Sequence, residues 1–199
     1  MPSADVHIFS AASATERGLP PIELRFRPGP ALVVIELAAG EGSGAVLAAE
    51  ERGTNDRLIG RIELGLFSAS LIIDRAGVVE EVARAAAEAT LAGPGRGRLL
   101  GQGEIELAGG ASGYRIDALL QLDEEGRFRP GCPYASWLAL TGGDAVARGG
   151  VFAVVRCAGP SWAAAAELLD SLEIGGAAAR QGGGGTGLPG LDMPLVHRR

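Results

Sequence analysis

The first clear pattern along the chain is at Ile22, Leu24 and Phe26, which alternate with Glu23, Arg25 and Arg27. A period of two marks a strand with one buried face. Pro28-Gly29-Pro30 then predicts a turn, and Leu32 to Leu37 a second strand closed by a Gly-rich stretch. Residues 56–74 predict one or two further strands, with Ile62, Leu64 and Leu66 on one face. The period changes over residues 76–91. Val79, Val82, Ala83 and Ala86 share a helical face that Thr90 continues, while Glu80, Arg84 and Glu88 follow one another at intervals of four on the other. The small side chains of the apolar stripe allow this helix to pack closely on a sheet.

From Leu99 the pattern is a β-meander. Glu104 to Leu107 leads through Gly109-Gly110 into Tyr114, Ile116, Ala118, Leu120 and Leu122, the cleanest alternation in the chain, with Arg115, Asp117, Leu119 and Gln121 between them. Asp123-Glu124-Glu125-Gly126 is a turn, Trp137 to Leu140 a strand, and Thr141-Gly142-Gly143-Asp144 another turn. Val151 to Cys157 is a strand and Pro160 to Leu172 a helix, with Trp162, Ala165, Leu169 and Leu172 as its apolar stripe. Runs of strands with few helices predict an α+β fold: a single, mainly antiparallel sheet with helices packed on it. Residues 1–20 show no period and are expected to be a loose lead-in to a domain over 21–174, with a Gly-rich linker and C-terminal tail peptide over 175–199.

Composition narrows the chemistry. The chain has 199 residues and a net charge of −6, and all 18 of its basic residues are arginine. The absence of lysine removes the P-loop lysine, the pyridoxal-phosphate Schiff base and the Ser-x-x-Lys nucleophile. An acidic chain argues against a nucleic-acid partner, which demands a basic face. No apolar run is long enough for membrane insertion, and residues 1–16 lack the charge and apolar core of a secretory signal. A cytoplasmic protein with reduced Cys132 and Cys157 is therefore expected, although a bridge between the two is a chemical alternative. Arg180, Arg198 and Arg199 against Asp192 give the tail +2, which leaves −8 for the rest of a −6 chain.

The catalytic candidate is Ser161 in Gly159-Pro160-Ser161-Trp162-Ala163, placed between a strand and a helix as in a nucleophile elbow. A serine hydrolase also needs an imidazole to take the hydroxyl proton and a carboxylate to orient it. Only His7 and His197 are present, one in the lead-in and one beyond the glycine linker. Two separated histidines and two separated cysteines form no metal-ligand pattern, and residues 123–126 lack the alternation of a calcium loop. No metal or cofactor is expected. Residues 93–98, Gly-Pro-Gly-Arg-Gly-Arg, follow a helix instead of opening one and so do not form a phosphate cradle, but Arg96 and Arg98 are candidates for contact with an acidic partner. Glu80, Glu81 and Glu88 are expected on a solvated helix face. Trp137 and Trp162 are core residues or the wall of a ligand cleft.

The C-terminal half, Gly113 to Leu122, the Trp137-Leu138-Ala139-Leu140 strand and Phe152 to Ile174 with its Leu169-Asp170-Ser171-Leu172 phrase, resembles the ending of the PsbP-like superfamily. That group includes photosystem II extrinsic subunits, a Ran-binding import factor, LpqN-type lipoproteins and DcrB-like bacterial proteins, some of them secretion chaperones. The resemblance covers residues 112–174. It implies one antiparallel sheet flanked by helices, used for protein binding, and carries over no catalytic residue.

Taken together, these readings lead to a non-catalytic interaction protein, an adaptor or chaperone, with another protein as partner. The apolar tail residues Leu191, Met193, Leu195 and Val196 would act as a tethered docking peptide. The alternatives are an apolar small-molecule binder with Trp137 or Trp162 in its pocket and a serine hydrolase at Ser161.

Overall fold

A computed structural model of the chain describes residues 5–38, 45–68, 75–91, 97–120, 132–142 and 149–176. Ten strands and three α-helices follow in the order β1 (His7–Phe9), α1 (Ala11–Glu16), β2 (Ile22–Phe26), β3 (Val33–Glu36), β4 (Ala45–Arg52), β5 (Leu58–Ser68), α2 (Arg75–Leu91), β6 (Gly97–Glu106), β7 (Ser112–Leu120), β8 (Tyr134–Thr141), β9 (Gly149–Cys157), α3 (Ala163–Asp170) and β10 (Glu173–Gly176). Seven strands make one antiparallel sheet in the order β3-β4-β5-β9-β8-β7-β6, and β1, β2 and β10 make a second, three-stranded one. The α+β class and its antiparallel character stand.

The expectation of a single sheet is corrected. β2 alternates as predicted, but it pairs with β1 and β10, whereas β3 pairs with β4. The Pro28-Gly29-Pro30 segment, with Leu32 N–H bonded to Gly29 O, carries the chain from one sheet to the other instead of closing a hairpin. Alternation identifies a strand and its buried face, not its neighbour.

The large sheet is covered on both faces. On one face α2 packs on β7 and β8, placing Val79, Ala83 and Ala87 against Ile116, Ala118, Leu120, Trp137 and Ala139. On the other, Phe9, Ile22, Leu24 and Phe26 of the small sheet join Leu168 and Leu169 of α3 against Ile62, Leu64, Leu140, Val151 and Ala153.

Residues 7–16 are also corrected from a loose lead-in to part of the body. Phe9 and Ala14 are buried, and Ser10 caps α1 by accepting a hydrogen bond from Ser13 N–H at 3.1 Å. The second strand, the helix over 76–91, the meander strands β6, β7 and β8 and the strand to Cys157 lie where the pattern predicts them; residues 69–74, Leu122, the turn at 123–126 and Gly143-Asp144 lie outside the described residues. The last helix is shorter than expected: it starts at Ala163, behind an extended Trp162.

Candidate functional site

The strongest alternation in the chain builds the site. In β7, Ile116, Ala118 and Leu120 turn to α2, so Arg115 and Asp117 point from the opposite face. Cross-strand register sets Ser136 of β8 beside Asp117. The small sheet and α3 cover this face over β5 and β9, and a cleft of about 410 Å³ remains between the floor strands and α3. Tyr134, Leu138, Val155 and Cys157 contribute to the floor, and Trp162, Ala166 and Leu169 to the wall.

The floor carries a fixed polar group. Arg115 Nε donates to Asp117 Oδ1 at 2.8 Å, the Ser136 hydroxyl donates to the same oxygen, and Arg115 Nη2 reaches Ser136 Oγ at 3.3 Å. Next to them on β6 stand Gly101 and Gly103, paired with Asp117 and Arg115. A Cβ at either glycine would meet nothing within 4 Å, so the floor there is bare backbone bordering open space.

The wall is held by Trp162. Its Nε1 donates to Glu51 Oε2 at 2.6 Å, and its ring lies so close to Gly60 that a Cβ there would sit 2.6 Å from it. The cleft thus needs a glycine on β5, a carboxylate on β4 and an indole before α3. Trp137 is instead a core residue on the other face, packed in the cluster under α2.

Cys157 is buried at the edge of the floor with its thiol donating to Gly159 O at 3.0 Å. Burial, reinforced by the neighbouring Cys132, pushes the Cys157 thiol above its usual range. Burial does the same to Cys132. Neither is a ready thiolate near neutral pH. Both are free.

Ser161 lines the cleft, exposed, but no histidine among the described residues does. His7 lies on β1 with its ring 5.1 Å from Phe26, and its Nε2 is buried without a partner. His197, Arg96 and the tail residues Leu191, Met193, Leu195 and Val196 lie outside the described residues. Arg98 is exposed on β6, and Glu80 is paired with Arg84 on the outer side of α2 at 2.5 Å. Among the described residues no group of three or more His, Cys, Asp or Glu could hold a metal ion, and no helix is long and apolar enough to cross a membrane.

Sequence reading singled out Ser161 and Trp162 but passed over Arg115, Asp117 and Ser136. A signal was there for two of these: opposite charges two apart on the polar side of a strand share one face. Nothing in the sequence sets the β7–β8 register that brings in Ser136.

Comparison with known families finds no match, and no curated protein matches the chain. A crystal structure from Bacteroides thetaiotaomicron VPI-5482 aligns with a TM-score of 0.38 and 12% identity over 88% of this chain and 50% of that one. This chain therefore spans about half the length of that neighbour, and a likeness at this level carries no argument about fold or function.

Proposed function

We propose that the chain is a binding protein that works without turnover, and that the cleft under α3 receives a small apolar or amphiphilic molecule. The observation that carries this is the cleft itself. Its volume of about 410 Å³ falls in the range of small-molecule sites, and aliphatic and aromatic walls surround a few fixed polar groups. Ser161, the one candidate nucleophile exposed there, has no imidazole beside it among the described residues. The reading sets the protein in the cytoplasm, where buried thiols such as Cys132 and Cys157 stay reduced.

The test is a thermal-shift series on the full chain across lipids and apolar metabolites, repeated with Ala166→Trp to fill the cleft. A ligand-dependent rise in melting temperature that this variant loses supports the reading. Flat melting curves, or labelling of the protein by a fluorophosphonate that Ser161→Ala abolishes, would overturn it.

A second reading, the adaptor or chaperone implied by the PsbP-like resemblance, is favoured by β6. This edge strand is ten residues long and exposes Leu99 by 50% and, at the lining of the cleft, Leu100 by 48%. An edge of that kind can receive an extended partner segment. In that case the tail beyond Gly176 supplies a second, tethered contact, and deleting residues 177–199 weakens capture of a defined partner.

A further inference from the structure

We propose that the ligand is an amphiphilic monocarboxylate, with its apolar body between α3 and the sheet and its carboxylate on the guanidinium of Arg115. This rests on the cleft being a ligand site and names the chemistry that site selects.

The guanidinium is held in place before any ligand arrives. Two of its nitrogens are committed, Nε to Asp117 and Nη2 to Ser136, while Nη1 has no partner among the described residues. The side chain is 44% exposed in the cleft, so its free edge is open to an incoming group. A planar, oriented guanidinium loses little entropy on accepting a carboxylate and offers it directed N–H donors.

The Asp117 carboxylate beside Arg115 limits how much negative charge the ligand can bring. Because the two cancel, a single negative charge on the guanidinium is opposed less than a dianionic phosphate. Asp117 Oδ1 already accepts from both Arg115 and Ser136. The other oxygen remains an acceptor that repels a second anionic group. One carboxylate, directed at Nη1, suits this arrangement.

The first turn of the opposite wall adds no negative charge of its own. α3 begins at Ala163, which lines the same cleft, with Trp162 before it giving no side-chain cap and no acidic residue in its first turn. Its positive end therefore faces the space the ligand would fill. The apolar remainder of the ligand meets Leu138, Val155, Trp162 and Leu169.

The experiment is calorimetric titration of the full chain at neutral pH with three probes of one chain length: decanoate, 1-decanol and decyltrimethylammonium. Decanoate is expected to bind at least about ten-fold more tightly than the other two. Arg115→Met and Arg115→Gln, both at an exposed floor position, should erase that preference by weakening decanoate at least about ten-fold. Equal affinity for decanoate and decanol would overturn the carboxylate proposal and leave the cleft as a ligand site. Tighter binding of the cationic probe would also overturn it, with Asp117 as the determinant. Binding of none of the three would remove both readings.

Discussion

Gly60 is the residue on which the wall of the cleft depends. With no Cβ it lets the Trp162 ring lie flat on β5, and a methyl group there would sit 2.6 Å from ring carbons. Gly60→Ala is expected to cost about 1–3 kcal/mol from overpacking, read as a lower urea midpoint at unchanged slope. Glu50 makes a different demand. It is 6% exposed, accepts from Arg52 at 2.8 Å and pairs with Arg61. Burial opposes its charge, but hydrogen bonds and charges from the two arginines outweigh that and hold its carboxyl below the usual 4.5. A carboxyl whose folded pKa is depressed adds stability that is complete above its unfolded value and is lost as pH falls through the folded one. Glu50→Gln should therefore destabilise the protein by about 1–3 kcal/mol at pH 7, less than a fully buried pair because Arg52 is 46% exposed. The gap between wild type and variant should hold down to about pH 5 and close below pH 4. A gap that widens with acid would contradict the assignment.

At the scale of elements, legibility followed length and alternation. β7 and α2 run for nine and seventeen residues and repeat their period several times, so their faces could be read directly. β1 and α1, at three and six residues, are shorter than any window in which a period shows. Their one local signal is Ser10, a capping residue type just ahead of the helix. Ser10→Ala is expected to cost about 1 kcal/mol, measured by chemical denaturation, and no loss would mean that α1 adds nothing to the body. β4 was hidden for another reason. Residues 45–50 are buried on both faces, so Ala-Val-Leu-Ala-Ala-Glu shows no alternation, and its alanines favour no strand. Its Glu50 is legible only once β5 places Arg61 across from it.

For the whole molecule, the class of fold was carried by the order of periods along the chain, but the division into two sheets was not. That division depends on which strands pair, a matter of contacts between Ile22–Phe26 and residues about 150 positions away in β10. The cleft depends on the same long-range assembly: Arg115 and Asp117 come from one strand, Ser136 from the next, and Trp162 from a connection held by β4 and β5. Each residue is ordinary in its own segment, and only the packing of α3 and Trp162 over the large sheet brings the group to one cleft. That cleft must therefore act as a receptor for apolar matter. The most direct measurement is a fluorescence titration of the full chain with Nile red, an uncharged apolar reporter, against wild type and Ala166→Trp. Saturable enhancement with one site per chain, lost in the filled variant while its melting temperature is kept, is the predicted result. No saturable signal, or one that Ala166→Trp leaves unchanged, would contradict it.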